Sequence, residues 1–197
     1  MGSSNVSGIG STGFVVLIVI GGVALLLLII GIWFISTRNR FIRMEQDVEN
    51  SESRIDVYLT KRYDLLTKMI DATKGFMKHE KGTLKEIVEM RNPGANASLK
   101  EKAEFNEQMD AVSKQLNVVV EQYPNLNSDK VFSNLQAAIS DVEENLQAAR
   151  SNYNSNVAAF NKAILVFPAS IIAGSRFIKK EYFEAEEGKR QDIKIEF

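Results

Sequence analysis

Apolar and polar positions divide this chain into one solid block and three long stripes. From Phe14 to Ile35 the sequence reads FVVLIVIGGVALLLLIIGIWFI, without a charged side chain. As a helix this run spans roughly 33 Å, enough for a hydrocarbon core of about 30 Å, and it predicts a transmembrane helix over 14–36. A cleaved signal has a shorter apolar region, about 7 to 15 residues, followed by a small-x-small site. Trp33-Phe34-Ile35-Ser36-Thr37-Arg38 offers no such site, so the run is expected to stay as an anchor.

Beyond the block, apolar residues recur at three-four spacing. A first stripe runs through Phe41, Met44, Val48, Ile55, Leu59, Leu66, Met69, Ile70, Phe76, Leu84 and Val88 toward Arg91. A second begins at Ser98, where Ser-Leu-Lys-Glu101 makes a capping box, and continues through Phe105, Met109, Val112, Leu116, Val119 and Tyr123. A third, the most regular, runs from about Ser128 through Phe132, Ile139, Val142, Leu146, Tyr153, Val157, Phe160, Ile164 and Phe167. Pro93, Pro124 and Pro168 punctuate the pattern. Strand signals are confined to 192–197, a terminal stretch that suits a docked tail equally well.

The predicted fold is all-α: an N-terminal transmembrane helix followed by an elongated antiparallel bundle of three long helices plus a short C-terminal segment. The expected boundaries are a flexible tail over 1–13, the transmembrane helix over 14–36, the bundle over 37–183 and a tail over 184–197. Short loops at 92–97 and 124–127 make each helix reverse on the last, so the second helix returns toward the membrane and the third leaves it. The third then overshoots the end of the first by roughly 20 Å, unless the first is broken near Gly75 or Gly82. Otherwise Phe160, Ile164 and Phe167 need a partner from the C-terminal segment or a second subunit.

The flanks of the block set its orientation. No Lys or Arg precedes it, whereas Arg38, Arg40 and Arg43 follow closely, so the C-terminal side is expected in the cytoplasm and the N-terminus outside. Trp33 suits an aromatic anchor at headgroup level. The net charge of −1 gives no sign of a nucleic-acid partner. The absence of cysteine excludes disulfides, Cys-ligated metals and a thiol nucleophile.

Candidate chemistry is sparse. The single histidine, His79, stands beside Glu80, but helical ligands need a spacing of three or four to share a face. It reads as a structural or pH-sensing group. No Glu-x-x-His repeat marks a di-iron site, no phosphate loop or nucleophile elbow occurs, and no cofactor or enzymatic activity is expected.

Arg62 falls where the three-four repeat calls for an apolar residue. It is expected to face the bundle in a polar layer with Asp56, Asp64, Glu144, Arg150 and Asn154, fixing helix register. A second apolar island, Ala163 to Gly174, is too short to span a membrane. Lys162, Arg176, Lys179 and Lys180 flank it as an interfacial segment requires. The expected topology points it away from the anchor, however, and favours burial against the bundle or a sister subunit. Phe160, Ile164, Phe167 and Ile171 are therefore the expected contacts of a homo-oligomer.

Several ordered motifs also resemble those of the bacterial LemA family. They are Arg38-Asn39-Arg40, Ile55 to Leu65 (IDVYLTKRYDL), Lys74 to Glu80 (KGFMKHE), Tyr123-Pro124-Asn125-Leu126, Ala148 to Asn154 (AARSNYN), Phe160-Asn161, Phe167-Pro168 and Tyr182 to Ala185 (YFEA). Thr67 stands where the family usually has a proline, which removes the reason for a kink there. The resemblance implies an inner-membrane protein with an N-terminal anchor, an outside N-terminus and a cytoplasmic helical domain, similar also to a protein of magnetosome membranes. It implies no enzymatic activity. Membrane lipid and further copies of the chain are the expected partners. The expected role is a scaffold that self-associates and organises the membrane or recruits partners, the alternative being an adaptor for a membrane protease or signalling system.

Overall fold

The computed structural model describes residues 10–74, 92–123, 126 and 129–183. Four helices occur in them: α1 (Gly10–Lys74), α2 (Leu99–Gln122), α3 (Lys130–Leu165) and α4 (Ala169–Ala173). No strand is present among the described residues. His79, the 75–91 part of the first stripe, and the 184–197 tail lie outside them.

α1 is one helix of 65 residues, and nothing in its sequence interrupts it. Thr67 donates its hydroxyl to the Tyr63 carbonyl at 2.9 Å instead of breaking the ladder as a proline would. Buried Ser51 and Thr73 donate in the same way, to the carbonyls of Val48 at 2.8 Å and Ile70 at 2.6 Å, so their hydroxyls enter the core already satisfied. The surroundings change along the helix. Every large apolar side chain from Phe14 to Ile35 is exposed, whereas Phe41, Val48, Ile55, Leu59, Leu66 and Met69 are buried on one face.

The starts of α2 and α3 are fixed by side chains. Ser98 and Glu101 form the capping box reciprocally, the Ser98 amide donating to Glu101 Oε2 at 2.7 Å and the Glu101 amide to Ser98 Oγ at 3.2 Å. Asp129 caps α3 by accepting from the amides of Val131 and Phe132 at 2.7 and 3.1 Å. The stripes then close into one core, with Phe105, Met109 and Leu116 of α2 and Phe132, Leu146, Val157 and Phe160 of α3 buried against α1.

The course of the chain differs from the expected one. Lys102 meets Glu52 and Asp56, while Asn106 and Asp110 meet Arg62, so α2 runs in the same direction as α1. Glu143 also reaches Arg62, and Asn156 donates to the Asp47 carbonyl at 3.2 Å, so α3 runs back toward the apolar block. Asn92, ahead of α2, stands alongside Thr60, its side-chain amide donating to the Thr60 hydroxyl at 3.3 Å. α3 consequently lies along α1 for its whole length and does not overshoot it. α2 covers the distal half of that pair, and the segment 177–183 takes its place at the proximal half.

Candidate functional site

Two polar clusters stand inside the apolar core of the distal half. The Arg62 guanidinium is only 3% exposed and donates to Asn106 Oδ1 at 2.7 Å, with Asp110 at 2.6 Å and Glu143 at 2.5 Å from Nη2. One side chain of α1 thereby holds both α2 and α3. One turn nearer the apolar block, Lys102 is 1% exposed and sits 2.8 Å from both Glu52 and Asp56. Burial on its own would lower the Lys102 pKa, but the bonds to Asp56 and Glu52 outweigh it and hold the ammonium above its usual value. Burial lifts the Asp56 carboxyl, and repulsion from Glu52 adds to this, more than Lys102 lowers it. Two carboxylates sharing one ammonium leave the trio with surplus negative charge.

These placements correct part of the expected layer. Asp56 pairs with Lys102 rather than Arg62. Asp64 is exposed, because two residues past Arg62 is more than half a helical turn away from the core. Glu144 is exposed as well, and its neighbour Glu143 takes the Arg62 contact from the flank of the stripe set by Val142 and Leu146. Lys102 and Asn106 escaped notice, although both stand on the stripe of Phe105 and Met109, the same signal that marks Arg62.

Arg150 and Asn154 belong to a different cluster at the proximal end. Asn154 donates to the Phe183 carbonyl at 3.0 Å and accepts from the Phe183 amide at 2.8 Å. Two turns on, Asn161 makes the same pair with Lys180, both bonds at 2.9 Å. Two asparagines on one face of α3 thus grip the extended 180–183 backbone where it has no strand partner. Tyr153 donates to the Glu181 carbonyl at 2.9 Å, Arg150 lies 4.7 Å from the Phe183 ring centre, and Lys180 pairs with Glu45 of α1 at 3.0 Å.

Held in this way, the segment covers the end of the bundle. Phe177 packs edge-on to Phe41 and Phe160, with ring centres 5.2 and 6.5 Å apart. Phe160 and Ile164, expected at a contact between subunits, are buried within the chain, since Phe177 and Phe183 supply the cover a second copy was expected to give. Phe167 and Ile171 remain 76% and 71% exposed. On α1, Trp33, Arg38, Arg40 and Arg43 are exposed, and Ile32, Ile35, Ser36, Asn39 and Arg43 line a shallow groove at the end of the apolar block.

No group of three or more His, Asp or Glu suited to a metal ion occurs among the described residues. The polar clusters are ion pairs and backbone grips, arrangements that hold helices in register. Comparison with known proteins supplies the family: the sequence pattern of the LemA family matches residues 51–197, well over half of the chain. The chain belongs to the LemA family. Protein LemA of Metamycoplasma hominis is 28% identical over 173 residues, covering 85% of this chain and 79% of that protein. Magnetosome protein MamQ of Magnetospirillum gryphiswaldense is 30% identical over 69 residues, 34% of this chain but only 25% of MamQ. The LemA match takes in both ion-pair clusters and the asparagine grip, and begins beyond the apolar block. LemA is not a known enzyme family.

Proposed function

We propose that this protein is a single-pass membrane scaffold of the bacterial inner membrane, its N-terminus outside and its bundle held in the cytoplasm to bind further copies of itself or other membrane proteins. The observation that carries this reading is the continuity of α1, whose N-terminal part has no cover and whose C-terminal part is the spine of the bundle. Among the described residues it is the one helix long and apolar enough to cross a membrane. Leaving its large apolar side chains in water would forgo about 1.5–3 kcal/mol each, on the order of tens of kcal/mol together. Arg38, Arg40 and Arg43 at its C-terminal end support the cytoplasmic orientation. A short likeness to a magnetosome protein fits a role in membrane organisation.

The test uses the full chain in cells. A reporter fused after Phe197 is expected to be active only in its cytoplasmic form, and replacing the three arginines by Gln is expected to weaken that orientation. Single cysteines at Val57 and Val131, exposed on the bundle, then allow crosslinking in a chain without native cysteine. Crosslinks between copies support the self-associating scaffold, and crosslinks to a different membrane protein support the adaptor. Periplasmic reporter activity refutes the topology, and failure to crosslink to anything refutes the scaffold.

A further inference from the structure

We infer that the segment Leu165–Ile171 is a second membrane contact, dipping its apolar side chains into the interface of the bilayer that α1 crosses. The inference rests on the anchor reading above and adds to it a site on a different part of the chain.

Height along the bundle is the first argument. Asn156 is hydrogen-bonded to Asp47, and α1 and α3 are antiparallel with the same rise of about 1.5 Å per residue. Leu165, nine residues further along α3, therefore comes level with Arg38, nine residues back along α1. The turn at 166–168 then lies level with the end of the apolar block, where Trp33 marks headgroup depth. α4 packs beside α1 at this end, and Thr37 and Phe41 are partly or wholly covered there. A bilayer around Phe14–Ile35 thus has its surface at the height of this turn.

Chemistry is the second argument. Leu165, Val166, Phe167 and Ile171 are 57%, 52%, 76% and 71% exposed and stand together within seven residues, whereas Val57, Val118 and Val131 are exposed singly elsewhere on the bundle. Phe160 and Ile164, immediately before them on α3, are buried, so α3 passes from a covered to an uncovered apolar surface within one turn. Lys162, Arg176 and Lys179 are exposed around the tip, on the same level as Arg38, Arg40 and Arg43. An apolar tip ringed by cations matches an acyl boundary beneath anionic headgroups. The asparagine grip keeps the tip in place, since Phe177 pins the chain to Phe41 immediately after α4.

The full chain tests this in vesicles of phosphatidylcholine and phosphatidylglycerol. Single cysteines replacing Phe167, Ile171, Leu25 or Val131 each carry an environment-sensitive fluorophore, with an unchanged tyrosine circular dichroism signal as the check on folding. Probes at 167 and 171 are expected to shift to the blue and to be quenched several-fold more than the probe at 131 by lipids spin-labelled near the headgroup. The probe at 25 is expected to respond to lipids labelled deep in the chain. Quenching at 25 without quenching at 167 and 171 overturns the second contact and leaves the anchor standing. Loss of quenching at 25 as well overturns the anchor itself. Probes at 167 and 171 that resist lipid quenching while their cysteines form disulfides between copies identify a second copy of the chain as the cover, and also overturn the inference.

Discussion

Arg62→Met tests whether the bundle is held in register by its buried charges. The substitution keeps an unbranched stem of similar reach and deletes the guanidinium, leaving Asp110 and Glu143 without their cation and Asn106 without its donor. Removing one partner of a buried ion pair typically costs about 3–5 kcal/mol, because the other charge is left uncompensated. Here the carboxylates are 27% and 41% exposed and can turn toward water, so the cost belongs at the lower end, about 3 kcal/mol. For a chain of this size each kcal/mol moves the melting midpoint by about 2–4 °C, which gives a fall of about 6–12 °C. Near-ultraviolet circular dichroism follows the transition cleanly, since all five tyrosines lie beyond the apolar block. Arg62→Lys should fall between wild type and Met, because a single ammonium cannot reproduce the planar fork that reaches α2 and α3 together. A fall below about 2 °C for Arg62→Met would put the cluster in the range of exposed pairs, worth about 1 kcal/mol or less, and refute the reasoning.

The Tyr153 phenol is pushed up to about 12, first by burial and then by the charges of Glu52 and Glu181. The stability it contributes is complete below its ordinary value of 10.0 and is lost as pH rises to about 12, so Tyr153→Phe should flatten the alkaline loss of stability; an unaltered alkaline limb would contradict this. At neutral pH the same variant should be about 1 kcal/mol less stable for want of the bond to Glu181, as measured by denaturant unfolding. Asn154→Ala and Asn161→Ala should each release the 180–183 backbone, costing about 1–3 kcal/mol and raising amide exchange at Phe183 and Lys180 respectively, and protection unchanged in both would remove the grip. Asp129→Ala should destabilise by about 1 kcal/mol through two unpaired amides at the start of α3, which the same unfolding measurement detects.

Faces proved easier to read than directions. The buried residues Phe41, Val48, Ile55, Leu66, Phe105, Met109, Val142, Val157 and Phe160 all lie on the predicted stripes, because burial repeats with the helical period. The capping box at Ser98 was equally legible, being a local bond between residues three apart. Periodicity does not give the direction of a helix, however, and taking α2 as antiparallel to α1 reversed both helices that follow α1. That single step moved the apolar island of 163–174 from the proximal to the distal end. Exchanging Glu143 for Glu144 has a smaller cause: both acids lie near the edge of a stripe, and only the packed helices decide which one reaches Arg62. The asparagine grip left no pattern in spacing, since its partners are backbone groups of an extended segment.

The continuity of α1 has a mechanical meaning. With no joint between the apolar block and Lys74, the anchor proposed above would make the bundle a lever whose angle is set inside the bilayer. The arm from Ile35 to Lys74 measures about 59 Å, and transmembrane helices tilt by about 20° on average, so such a tilt swings the far end sideways by about 20 Å. Tilt in turn answers to the thickness of the hydrocarbon layer. On that proposed anchoring, a membrane thinner by a few ångströms would carry the distal surfaces to a different distance from their neighbours, making the reach of the bundle a gauge of bilayer thickness.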